Sequence, residues 1–298
     1  MSPTTASKPA RPSSSAAASD ALTAVQQPQH QLRYALAIHG GAGVINTSNS
    51  LWIGSAMEGL QAALDAGHAV LRAGGSAVDA AVASVVVMEN DPHFNAGVGS
   101  VLTASGHHEL EASLMSSSGN ACGAVALIKR VANPIVLARH VMERTPHIFL
   151  SGPEAELFAV QQGMQLVDNA SLTTQQRQEQ WQRYAAEQRL PPADEIVQKI
   201  GPADAAAAAE AATGAVAPAA DSSEQHCQTV GAVAIDSQGR LAAATSTGGR
   251  TNKWDGRIGD TPMIGAGELS RGVAATATVG RPCALRVVEQ NRRICMLA

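Results

Sequence analysis

The sequence predicts an α+β fold, and three observations carry that expectation. Apolar residues recur at helical spacing over long stretches, small and β-branched residues alternate in paired short runs around turn residues, and one apolar run breaks off into a glycine-rich loop. Tyr34-Ala35-Leu36-Ala37-Ile38 reads as a buried strand entering the tight loop His39-Gly40-Gly41-Ala42-Gly43. Residues 51–73 form a helix that stops at Gly74-Gly75, and Ser76, with Asp79 three residues on, caps a second. Residues 110–128 read as a hairpin about Ser118-Gly119-Asn120. Asn133-Pro134 opens a helix to about Arg144, a further helix runs from Pro153 to near Gly163, and a polar one spans roughly 173–190. A second hairpin follows, 229–235 and 241–247 about the turn Asp236-Ser237-Gln238-Gly239, and leads into the loop 248–262.

Two segments read as unstructured. Residues 1–31 are rich in Ser, Ala, Pro and Thr, carry Lys8 and Arg11, and lack the apolar run of about 7–15 residues of a secretory signal. They read as a disordered tail, with a transit peptide as the alternative. Residues 201–226 are mostly Ala, Gly, Pro and Ser, the composition of a flexible linker. A domain over 32–298 is expected, divided into a part 32–228 containing the linker and a part 229–298.

Composition narrows the function. The chain of 298 residues is 45% hydrophobic, yet no run approaches the roughly 18 apolar residues of a membrane span. Its 21 basic and 25 acidic residues are spread along the chain, so no field attracts nucleic acid or an anionic membrane. A small molecule or peptide is the expected partner. Cys122, Cys227, Cys283 and Cys295 form no C-x-x-C pair, which suits free thiols in a reducing, cytoplasmic setting. His107-His108 reads as a surface pair on a hairpin, and no catalytic metal is expected. With eight aromatic residues and 27 glycines, the core must be Ala, Val, Leu and Ile in closely stacked layers.

A threonine hydroxyl needs a base beside it, and an N-terminal threonine supplies one in its own α-amine. That amine has a reference pKa of about 7.7–8.0, suited to neutral pH. Thr229 begins a strand directly after the linker, where self-cleavage would free an N-terminus without unravelling the core. Alone it is an ordinary strand threonine. Arg257 and Asp260, three apart on a Gly-rich loop, would offer a fixed cation and a fixed anion to a substrate bearing carboxylate and ammonium on one carbon. An arbitrary pair of this kind is more often a surface salt bridge.

Four motifs give these residues a context: His39-Gly40-Gly41-Ala42-Gly43, Asn95-Ala96-Gly97-Val98-Gly99-Ser100, Thr229-Val230-Gly231-Ala232-Val233, and Thr245-Ser246-Thr247-Gly248-Gly249-Arg250-Thr251-Asn252-Lys253 continuing into Gly256-Arg257-Ile258-Gly259-Asp260. In order and spacing, over roughly 34–267, they resemble the plant-type asparaginases, or isoaspartyl peptidases, among the N-terminal nucleophile hydrolases. The resemblance implies an αββα sandwich cut between Gln228 and Thr229 into α and β subunits. It implies Thr229 as nucleophile, Thr247 tuning it, Asn95 orienting the site, Arg257 gripping the substrate α-carboxylate and Asp260 its α-ammonium. It also implies a structural sodium ion on backbone carbonyls of residues 88–98, no catalytic cofactor, and a homodimer of processed αβ units. The implied activity is hydrolysis of β-aspartyl dipeptides and L-asparagine to L-aspartate through an acyl-threonine. His39 receives no role.

The chain departs from the family pattern in two places. Relatives usually have Gly or Asp before the cleavage-site threonine, where this chain has Cys227-Gln228, so slow self-cleavage is expected. After Gly265-Ala266-Gly267 the pattern fades. Thr278 stands at a relatives' Thr-Gly motif with Val279 in the glycine's place, and 281–298 looks unlike the family's ending. A second sheet short of strands, with an exposed edge, is therefore expected. The alternatives are an unprocessed, non-catalytic member of the family and a glycosylasparaginase.

Overall fold

The computed structural model describes residues 34–41, 49–187 and 229–271, and beyond these the strand segments 274–278, 284–290 and 293–297; side chains are described through residue 268. The tail 1–31, the linker 201–226 and Gln228 lie outside the described residues.

A six-stranded sheet forms the centre. Its strands, in chain order, are β1 (Ala35–His39), β2 (Leu110–Ser116), β3 (Cys122–Ile128), β4 (Phe149–Ser151), β5 (Val230–Ile235) and β6 (Leu241–Thr247), arranged β1-β5-β6-β2-β3-β4. Every pairing is antiparallel except β3 with β4. Both expected hairpins are present, β2–β3 and β5–β6. The helices are α1 (Ser50–Arg72), α2 (Ala77–Glu89), α3 (Pro134–Arg144), α4 (Gly152–Gln161) and α5 (Gln175–Glu187), close to their expected bounds.

Side-chain alternation divides the sheet's two faces. Leu110, Ala112 and Leu114, with Val230, Ala232, Ala234, Ala242 and Ala244, join one buried cluster with the α2 residues Ala80, Ala81, Val85 and Met88. Alanine on both sides lets helix and sheet approach closely, as the small-residue composition requires. Val233, Ile235, Leu241 and Ala243 form a separate cluster on the opposite face.

That opposite face meets a second, antiparallel sheet. Strands β7 (Glu268–Arg271), β8 (Ala274–Thr278), β9 (Ala284–Gln290) and β10 (Arg293–Leu297) pair in simple succession. Strands β7, β8 and β9 lie against β1, β2, β5 and β6. Residues 284–297, where the family motifs have faded, supply two strands of the second sheet. Among the described residues the helices α1–α4 pack on the first sheet only. None of the described helices is long and apolar enough to cross a membrane.

Of two expected helix caps, one is realised and one is not. Asn133 precedes α3 but gives it no side-chain cap; Glu89, from the end of α2, accepts from the Ile135 N–H at 3.0 Å instead. Ser76 caps α2 as expected, in a reciprocal box with Asp79.

Candidate active site

Thr229 sits at the mouth of β5. In the β5–β6 ladder Val230 pairs with Ser246 and Gly231 with Thr245, so the same register places Thr229 opposite Thr247. On the other side of β6, Thr247 pairs with Glu111 of β2. By alternation these three side chains share the face turned to the second sheet, whereas Ser246 points to the helices and donates to Glu89 at 2.7 Å. Thr229, Thr247 and Glu111 are 6%, 3% and 0% exposed, so this end of the sheet is a dry polar ledge.

Asn95 ties the ledge to the loop that follows β6. Its Oδ1 accepts from Val101 N–H at 2.9 Å, its Nδ2 donates to Gly249 O at 2.8 Å, and its carbonyl accepts from Gly248 N–H at 3.1 Å. Gly249 N–H in turn donates to Thr247 Oγ1 at 3.0 Å. The sequence brings Asn95 here because residues 88–98 double back at the end of α2, with Gly97 and Gly99 at φ 51° and 84°. A Cβ on Gly248 would lie 2.6 Å from Ser100 Cβ and 2.7 Å from Asn95 Oδ1. Gly248→Ala is therefore expected to push Asn95 off the loop, lowering stability by about 1–3 kcal/mol. Thermal unfolding of the variant beside the wild type checks this, and an unchanged Tm would show that the contact gives way freely.

The loop 253–260 closes over the ledge. Arg257 Nη1 lies 3.6 Å from the Cβ position of Gly249, and Gly259 N–H donates to both oxygens of Glu111 at 3.1 Å. Arg257 and Asp260 are exposed, standing at the rim above the buried threonines. The structure thus brings Thr229, Thr247, Asn95 and Arg257 into one region, with Asp260 close enough to raise the pKa of Glu111.

Several buried polar groups escaped the sequence reading. Glu109 and Glu111 flank Lys253 in the interior. Burial pushes the Glu111 carboxyl up, against the opposing pull of Lys253, the Gly259 N–H and Arg257. His108 is not a surface residue: it is fully buried, its Nδ1 2.8 Å from Ser100 Oγ and its Nε2 2.7 Å from Thr173 Oγ1. It lies inside because Asn169 clamps its backbone, accepting from His108 N–H and donating to His108 O, both at 3.0 Å. Burial lowers its pKa to about 4. His39 pairs with Gly231 across the β1–β5 ladder and is likewise lowered to about 4 by burial, with the Thr229 backbone opposing. Only the alternation Glu109-Leu110-Glu111-Ala112-Ser113 could have signalled an inward polar face.

Among the described residues no cluster of three or more His, Cys, Asp or Glu side chains could hold a metal ion. The 88–98 loop packs closely on neighbouring backbone: a Cβ on Gly97 would collide with Glu89 O and Ala132 O, and one on Gly99 with Pro92 O.

Relatives bear on the same residues. The asparaginase family pattern matches residues 32–283, past the point at 267 where the motifs fade. The isoaspartyl peptidase/L-asparaginase of Rattus norvegicus is 37% identical over 273 residues, 91% of this chain and 72% of its own length. That of Mus musculus is 39% identical over 244 residues, 82% of this chain and 66% of its own length. The isoaspartyl peptidase of Escherichia coli (strain K12) is 40% identical over 234 residues, 78% of this chain and 66% of its own length. The chain thus spans about two-thirds of the length of the mouse and bacterial relatives. It belongs to the asparaginase family.

Proposed function

We propose that this protein is a hydrolase that releases L-aspartate from β-aspartyl dipeptides and L-asparagine, using Thr229 as an N-terminal nucleophile. The observation that carries the reading is the placement of Thr229 opposite Thr247 on the buried ledge, beneath a rim bearing Arg257 and Asp260. Family membership and the activity named for the relatives support it.

The chemistry begins with self-cleavage. Thr229 Oγ attacks the Gln228 carbonyl, the peptide N–C bond breaks as the ester forms, and water then hydrolyses the ester and leaves a free Thr229 α-amine. In turnover that amine takes the hydroxyl proton as Oγ attacks the side-chain carbonyl of the substrate. Ammonia or the amino group of the next residue departs with the proton, and water resolves the aspartyl ester. Arg257 would receive the α-carboxylate in its planar fork and Asp260 the α-ammonium, fixing the carbonyl over Thr229. Thr247 Oγ1, held by the Gly249 N–H, would tune the hydroxyl, and Asn95 would keep that loop in register.

A structural sodium ion on backbone carbonyls of residues 88–98 is part of the proposal through the family resemblance, and it would stiffen the loop carrying Asn95. Exchange of sodium for tetramethylammonium is expected to lower Tm by several degrees, since a ion bound only by the folded state stabilises it; an unchanged Tm would remove the ion from the proposal. The free thiol of Cys122 suits the reducing cytoplasm. A homodimer of processed αβ units is the expected assembly, supported by the family alone, and a monomer mass by light scattering would overturn it.

Intact-mass measurement over several days at neutral pH, followed by assay of ammonia release from asparagine and of β-aspartyl dipeptide cleavage, tests the proposal. Two fragments meeting at Gln228-Thr229, with turnover, are expected. A cleaved, folded sample inert to both substrates would sink it. A single uncut mass from folded protein would favour the non-catalytic alternative.

A further inference from the structure

The loop bearing Arg257 and Asp260 has no helix or strand of its own to hold it. It lies between Trp254 and Met263, tied internally by Arg257 N–H to Trp254 O at 3.1 Å and Met263 N–H to Asp260 O at 3.0 Å. A rim of exposed, flexible charges would grip a small zwitterion poorly unless something fixed the backbone beneath it.

Three buried side chains do so. Lys253 Nζ donates to Arg257 O at 2.7 Å and to Glu109 Oε2 at 3.2 Å, and stands 3.7 Å from Glu111 Oε1. Glu109 Oε2 also accepts from Gly256 N–H at 2.9 Å, and Glu111 accepts from Gly259 N–H. The peptide groups of 256, 257 and 259 are thereby each bound to one ionic cluster. Its members are deeply buried, with side-chain exposures of 2%, 4% and 0% for Lys253, Glu109 and Glu111. Glu109 Oε1 reaches outward to Lys129 Nζ at 3.4 Å, so the cluster spans from the protein surface to the ledge. A buried lysine facing two carboxylates is seldom justified by stability alone, since an apolar trio of similar volume does as well. Here each charge also holds a loop peptide.

We propose that Lys253, with Glu109 and Glu111, is an ionic clamp that sets the position of Arg257, so that Lys253 is a positioning residue for recognition of the substrate α-carboxylate. The inference rests on the proposed function and deepens it. Glu111 pairs with Thr247 in the sheet, so the clamp references the carboxylate-binding arm to the strand that faces the nucleophile.

The test compares Lys253→Met, Glu109→Gln, Arg257→Ala and the double variant Lys253→Met/Arg257→Ala on L-asparagine. Lys253→Met is expected to raise KM by up to about 100-fold, the cost of misplacing a binding group by an ångström, with kcat changed a few-fold and cleavage at Thr229 retained. The double variant is expected to match Arg257→Ala, because a clamp acting through Arg257 has nothing left to position. If Lys253→Met does not fold, Glu109→Gln decides: it keeps an acceptor for Gly256 N–H but drops the charge, and a KM rise of the same sense is expected. Unchanged KM, a fall confined to kcat, or losses that multiply in the double variant would overturn the clamp. A cleaved wild type without turnover would bring down the proposed function, and the clamp with it; a normal wild type with indifferent variants would bring down the clamp alone.

Discussion

Thr229→Ala is expected to remain a single uncut chain and to lose turnover of asparagine and β-aspartyl dipeptides by at least about four orders of magnitude. Both losses follow from one atom. Without Oγ the Gln228 carbonyl has no neighbouring hydroxyl to take up its acyl group, and without cleavage no α-amine appears to act as base. Neighbouring groups substitute poorly: Thr247 Oγ1 already accepts from Gly249 N–H, and His39, on the adjacent strand β1, is a weak base with its pKa lowered to about 4 by burial. Because Thr229 lies on the face between the sheets and is 6% exposed, the truncation removes only a small buried group, and the fold should survive with a stability loss of about 1–2 kcal/mol. Intact mass and an ammonia assay are sufficient. Fragments of wild-type mass from Thr229→Ala would move the scissile bond elsewhere, and retained turnover would dismiss Thr229 as nucleophile.

The pairing of Thr229 with Thr247 was legible in the sequence because the turn Asp236-Ser237-Gln238-Gly239 fixes the hairpin register, and register decides which residues face each other. Arg257 and Asp260 were legible only through their motif. The clamp beneath them was not: Lys253 meets Glu109 and Glu111 across separations of 144 and 142 positions, and no local pattern announces such a closure. His108 failed for a related reason, since its neighbours Ser100 and Thr173 converge only after α5 docks near Gly99 and Thr103. The C-terminal strands failed for another. They were judged against the family pattern, whereas the hairpin succession in which β7 to β10 pair needs no family motif. Glu89 shows the same limit. At the end of an Ala- and Val-rich helix it reads as a solvated last-turn charge, yet it is fully buried where α2, the start of α3 and β6 meet.

That position of Glu89 carries a second large expected effect, a fall in stability as pH rises from 6.5 to 8. Burial raises its pKa from 4.5 to about 8, against hydrogen bonds from Ser246, Ile135 and Asn133. Glu268, wedged beside Ser113 between the sheets, is likewise raised to about 8 by burial. For an acid whose folded pKa is raised, the unfolded chain releases its proton first; stability is intact below the unfolded value and is lost as pH climbs toward the folded one. His39 and His108, lowered to about 4, work the other way, costing stability as pH falls below 6.5. The two effects oppose each other from about 4.5 upward until the unfolded histidines have lost their protons, roughly a pH unit above their reference value of 6.5, and beyond that the acids act alone. Each acid then contributes a slope of up to about 1.4 kcal/mol per pH unit. Glu89→Gln keeps the acceptor for Ile135 N–H and Ser246 Oγ–H while deleting the titration. Its urea stability, measured in the uncut Thr229→Ala background so that unfolding stays unimolecular, should decline less steeply from pH 6.5 to 8 than that of its parent, by one such slope. Parallel curves would mean that Glu89 is ionised in the fold, its three donors outweighing burial. The same carboxyl would then be a charged cap on α3 rather than a protonated one, and the slope would have to come from Glu268 alone.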